Sequence, residues 1–141
     1  MHMGRTAVAA LILVALAGCT GESPEFQVRR SFEGCVKALE AGDGPKALEV
    51  LSPTFEGPEG MDRNAARLFL LALLKRERLG FTVLQNHIET REQEAAQELT
   101  VVVTRRSGGS VLPDETSRSS FLIRWERRKG EWRVKSLRQA Q

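Results

Sequence analysis

The stretch SSFLIRWERRKGEWRVKSL, residues 119–137, decides the fold. Phe121, Ile123 and Trp125 alternate with polar residues, and beyond Lys129-Gly130 so do Trp132 and Val134. Alternation on both sides of a tight glycine turn predicts an antiparallel hairpin with one buried face. The same alternation turns Arg124, Glu126, Arg128, Arg133 and Lys135 to the opposite face. Four of those five charges are positive and sit on adjacent strands, so cross-strand repulsion is expected there. Such a face suits an anionic counterpart, either lipid headgroups or an acidic protein.

Upstream of this hairpin the period of two continues back to Phe81. FTVLQNHIET (81–90) reads as one strand and QELTVVVTRR (97–106) as the next, with Leu99, Val101 and Val103 inward. The polar stretch SGGSVLPDETS (107–117) joins it to the strand that carries Trp125. The C-terminal half is therefore expected to be a four-stranded antiparallel meander.

Before Phe81 the spacing is helical. Ser23-Pro24-Glu25 combines a capping hydroxyl, a proline suited to the first turn and an acid at the positive helix end. Val28, Phe32, Cys35, Val36 and Leu39 follow at intervals of three and four. Gly42-Asp43-Gly44-Pro45 stops that helix and starts a short second one, with Ala47, Leu48 and Leu51 facing in and Ser52-Pro53 as its end. After the loop Gly57-Pro58-Glu59-Gly60, Asp62 or Asn64 caps a third helix, AARLFLLALLKRERLG, which Gly80 should end. It is apolar on most sides through Leu74 and reads as the central buried helix. Helices followed by a meander make an α+β domain, with Phe32, Leu68, Val101, Phe121, Trp125 and Trp132 as its expected core.

The order of elements, with SFEGCVKALEAGDGPKALEVLSPTF at the front and WERRKGEWRVKSL at the end, resembles the nuclear transport factor two-like (cystatin-like, SnoaL-like) superfamily. The resemblance covers roughly residues 25–137. It implies N-terminal helices packed on a curved sheet that wraps around a conical pocket. Enzymes of that fold, such as steroid isomerases and polyketide cyclases, typically use an Asp or His base, often with a Tyr donor. This chain has no tyrosine, and Asp43, Asp62 and Asp114 all fall at turns or caps. His87 is the one histidine beyond the N-terminal segment, and alternation with Val83 and Gln85 makes it the candidate pocket residue. No catalytic grouping, phosphate loop, cofactor motif or metal-ligand cluster appears.

The N-terminus has a different character. One cation, Arg5, precedes the uniformly apolar AVAALILVALA (7–17), which is eleven residues long; a bilayer-spanning helix needs about 20. A positive start, a short apolar centre and a small-residue exit form an export signal. Leu16-Ala17-Gly18-Cys19 resembles a bacterial lipobox. The resemblance implies that the Cys19 sulfur is acylated and the chain is cut before it. It divides the chain into a removed signal (1–18), a lipidated tether (19–24) and one α+β domain (25–138). Thr20 after the cysteine resembles the pattern sorted to the periplasmic face of the outer membrane in Gram-negative cells. With Cys19 taken by lipid, Cys35 has no disulfide partner and reads as a small core hydrophobe.

Three functional classes stay open on these observations. The leading one is a non-catalytic envelope lipoprotein that binds a small hydrophobic ligand or a protein partner. The others are a pocket enzyme of the isomerase or hydrolase kind using His87, and a structural subunit of an envelope complex. The modest net charge of +3 and the exported destination argue against nucleic acid.

Overall fold

The computed structural model describes residues 21–108 and 115–140. Cys19 and the residues expected to form a lipobox, Leu16, Ala17 and Gly18, lie outside the described residues, as does Asp114. Helix α1 (Pro24–Glu40) opens as expected: the Ser23 side chain accepts from the Phe26 N–H at 3.2 Å, and Pro24 stands in the first turn. It buries Val28, Phe32 and Ala38, and Gly42 at φ 73° closes it. Asp43 caps the short α2 (Gly44–Leu48), accepting from the Lys46 N–H at 3.2 Å.

The next element departs from expectation. Ser52-Pro53 does not end a helix; it lies inside a strand, β1 (Leu51–Glu56). This strand pairs parallel with the last strand of the chain and forms one edge of the sheet. A proline is tolerated there because an edge strand does not need every N–H for the ladder. The sheet therefore has five strands rather than four.

Asp62 caps α3 (Arg63–Arg76), accepting from the Ala65 N–H at 2.8 Å. The helix passes straight into β2 (Glu77–Arg91), so Gly80 is a strand residue and not a helix stop. A Cβ at Gly80 would lie 2.5 Å from Thr104 Oγ1 on the neighbouring strand; the glycine permits a close backbone approach. The remaining strands are β3 (Glu94–Ser107), β4 (Glu115–Arg128) and β5 (Glu131–Ala140). The spatial order is β1-β5-β4-β3-β2. Lys129 and Gly130, both at positive φ, form the turn between β4 and β5. Register shifts at Val83/Gln85 in β2 and beside Arg124/Trp125 in the β4–β5 pair bend the sheet around its inner face.

The core lies between α1 and that face. Val28, Phe32, Phe55, Leu99, Trp125 and Trp132 are among its buried members. Each indole finds an acceptor, as buried tryptophans require: Trp125 Nε1 donates to Gln97 Oε1 at 2.9 Å and Trp132 Nε1 to Gln27 Oε1 at 3.1 Å. The helix at the centre is α1, not α3. No residue of α3 is buried, and Leu68, expected in the core, is 59 % exposed. A helix apolar on most sides can pack on any of them, so its pattern did not define which face is covered.

Candidate functional site

Between α1 and the curved sheet the core is incompletely filled. A cavity of about 240 Å³ remains, lined by apolar side chains from α1, β1 and all four meander strands. Helix α1 supplies Phe32, Cys35, Val36 and Leu39. The opposite wall includes Leu99, Val101, Ile123 and Trp125, with Phe55 closing the β1 side. The nearest polar groups are engaged elsewhere. Gln97, 1 % exposed, holds the Trp125 N–H and donates to Asn86 Oδ1 at 2.8 Å. The Cys35 thiol donates to the Ala47 carbonyl at 3.6 Å, and burial pushes its pKa from 9.0 up to about 11. At neutral pH it is a neutral wall group, not a nucleophile.

His87 does not line this cavity. The cause is one residue. Val83 pairs with Val101 and Gln85 with Thr100, which leaves Leu84 as the extra residue of a β-bulge. The bulge reverses the phase of the strand: Ile88 is buried, and His87 points outward with its side chain 60 % exposed, Nε2 at 3.1 Å from Glu89 Oε1. The pocket role expected for His87 is therefore corrected.

The cross-strand repulsion expected on the outer sheet face is also corrected. Direct cross-strand partners are Glu126 opposite Arg133 and Arg128 opposite Glu131, so opposite charges face each other. Arg128 contacts Glu126 at 2.5 Å, Arg133 contacts Glu131, and Lys135 lies 3.9 Å from Glu94. Of the four cations named from the sequence, only Arg124 has no ion pair among the described residues. Glu126 is further held by Ser52, which is fully buried and donates its hydroxyl at 2.6 Å. That hydrogen bond, aided by Arg128 and opposed by burial, lowers the Glu126 pKa.

Sequence reasoning missed the β1 wall of the cavity. Leu51 and Phe55 reach it from a strand hidden behind Ser-Pro; the available signal was the apolar spacing through VLSPTF. Among the described residues no group of three His, Cys, Asp or Glu could hold a metal ion.

No family model matches this sequence, and no curated protein does. Solved structures do match. A nuclear transport factor two-like protein of unknown function from Pseudomonas putida superposes with TM-score 0.68 at 13 % identity, covering 85 % of this chain and 89 % of that one. A nuclear transport factor two-like protein from Cytophaga hutchinsonii gives 0.65 at 14 %, with coverage of 84 % and 98 %. A domain of unknown function with a cystatin-like fold from Nostoc punctiforme gives 0.60 at 22 %, covering 86 % and 78 %. The likeness at these identities is one of fold. This chain has the nuclear transport factor two-like, cystatin-like α+β fold, and the interior of its cone is apolar.

Proposed function

We propose that this chain is a bacterial envelope lipoprotein, anchored through acylated Cys19, whose cone binds a small apolar ligand without chemically altering it. The observation that carries the binding reading is the cavity wall, which offers no polar side chain free to do chemistry. General acid–base catalysis needs a titratable group within hydrogen-bond reach of the reacting atom, and His87 lies on the other face. An open cavity also favours a binder over a purely structural subunit, whose core would gain by being filled.

The size of the cavity limits the ligand. A dry cavity of about 150 Å³ holds a benzene, and drug-sized sites begin at about 300 Å³. A single or fused ring, or a short alkyl chain, fits between these. Each methylene buried contributes about 0.8 kcal/mol, so a ligand of this size binds in the micromolar to millimolar range.

The anchor reading rests on the lipobox at Leu16-Ala17-Gly18-Cys19. One acyl chain holds a protein only marginally, whereas two or more hold it stably. Five residues of tether beyond Cys19 reach at most roughly 17 Å, which keeps the domain near the headgroups.

Two measurements on one preparation test the proposal. The mass of the mature chain should show acyl groups on Cys19, and Cys19→Ser should move the protein to the aqueous phase of a detergent extraction. Naphthalene should change its fluorescence saturably with wild type and far less with Val36→Phe, which adds a ring to the cavity wall. An unmodified Cys19 rejects the anchor, and identical titrations of wild type and variant reject the ligand site.

A further inference from the structure

On the outer sheet, where the sequence placed a positive surface, three of the four cations are paired with Glu126, Glu131 and Glu94. A different one stands on α3. This helix carries Arg63, Arg67, Lys75 and Arg76 and no acidic residue. Its cap Asp62 is engaged by the Ala65 N–H. Along the solvent face run Ala65, Leu68, Phe69 and Ala72, all exposed, with Leu68 and Phe69 each 59 % exposed. Lys75 and Arg76 continue that face at the i+7 and i+8 positions from Leu68.

Just beyond, Lys75, Arg76, Arg78 and Arg106 line a single hollow of about 550 Å³. None of these four makes an ion pair among the described residues. The one acid in that hollow, Glu77, is held by Arg105 through two contacts of 2.6 and 2.9 Å. The surface is thus an apolar ridge that ends in a cluster of free cations.

We propose that this face of α3 docks on an anionic lipid surface, with Leu68 and Phe69 entering the headgroup boundary and the four cations holding lipid phosphates. Interfacial helices combine Leu and Phe with Lys and Arg in this way. Charge decides between lipid and a second copy of the chain. Two α3 helices packed on each other would set arginines and lysines against one another with no acid on either helix. An anionic bilayer instead attracts each cation, worth roughly fivefold in partition per residue.

The proposal rests on the anchored reading for its geometry. The α1 N-terminus lies at the Trp132 end of the sheet, where Gln27 meets Trp132. The α1 C-terminus lies near the start of β2, where Glu40 accepts from the Phe81 N–H. The tether and the cation cluster are therefore near opposite ends of α1, and contact at both lays the domain along the membrane.

The test uses the mature lipoprotein in a Cys35→Ala background. An environment-sensitive dye is attached at Leu68→Cys or, on the outer sheet face, at Glu98→Cys. Vesicles are phosphatidylcholine alone or mixed with phosphatidylglycerol. The expected result is a blue shift at position 68, with quenching by spin-labelled lipid, in the anionic vesicles only. Position 98 stays in water, and Lys75→Glu with Arg76→Glu abolishes the quenching. Equal quenching at 68 and 98, or none at 68, overturns the proposal. A blue shift at 68 that grows with protein density and shows no lipid quenching assigns the face to a second copy and also overturns it. The mass of the mature chain reads the acylation of Cys19 separately, so failure of the anchor and failure of docking are distinguished.

Discussion

Ser52 and Cys35 show how single side chains set the local electrostatics. Ser52 Oγ lies 2.6 Å from Glu126 and is the leading cause of its lowered pKa. A carboxylate with a depressed folded pKa contributes stability that is present above the unfolded value, near the ordinary 4.5, and is lost as pH falls through the folded value. Ser52→Ala should therefore move the Glu126 titration back up toward 4.5, read by carboxyl-carbon NMR; an unchanged curve would remove the hydroxyl as its cause. Cys35 runs the other way. Its folded pKa, raised to about 11, means the native state holds the proton more tightly. Its contribution is complete below the ordinary value of 9.0 and fades as pH rises from 9.0 toward 11. At a given pH below 9 the thiolate is about a hundredfold scarcer than in a free thiol, and alkylation should slow accordingly. Labelling at the rate of a free thiol would contradict this. At this scale the sequence was legible where a side chain acts locally, as at the Ser23, Asp43 and Asp62 caps. It was not legible at His87, because the added residue Leu84 reverses the phase of β2 and no local signal marks that bulge.

Elements were legible in type where their period was long and regular, and less so in role. The β4–β5 hairpin emerged with its turn and inward face as read, since Trp125, Trp132 and Val134 are all buried. Two elements resisted. The short β1 is held from outside: Ser52 bonds Glu126, and the Val134 N–H donates to the Val50 carbonyl at 2.7 Å. Its identity depends on a partner more than eighty residues away, which propensity cannot see. Helix α3 has an apolar pattern too broad to choose a face, and tertiary packing left Leu68 and Phe69 outside. A stability comparison follows from these placements. Trp132, which is 3 % exposed, bonds Gln27 and lies 5.9 Å from the Arg127 guanidinium. Trp132→Ala should cost about 3–5 kcal/mol in a denaturant titration. Leu68→Ala should cost about 0.5 kcal/mol or less, as at exposed positions. Comparable losses at the two sites would return α3 to the core and contradict the packing described here.

At the scale of the whole molecule, the fold and the function separate. The α+β order and the cone were legible from the front helices and the closing hairpin, and solved structures of the same fold superpose over most of the chain. A fold of this kind hosts both binders and enzymes, so the cavity decides the reading. Its contents were only partly legible. Leu99, Val101, Ile123 and Trp125 follow from strand alternation, but Val50, Leu51 and Phe55 depend on β1, and the absence of His87 depends on the bulge. The volume left open was not legible at all, because it is a small difference between the curvature of the sheet and the bulk of the side chains on α1.

Whether that volume admits a ligand is read by a methyl-resolved NMR titration with naphthalene. Saturable shifts are expected at the methyls of Val36, Leu99, Val101 and Ile123, none at the exposed Leu68 and Leu84, and an affinity weakened by about tenfold or more in Val36→Phe. Shifts confined to Leu68 and Leu84, or cavity shifts that survive Val36→Phe unchanged, would contradict ligand entry.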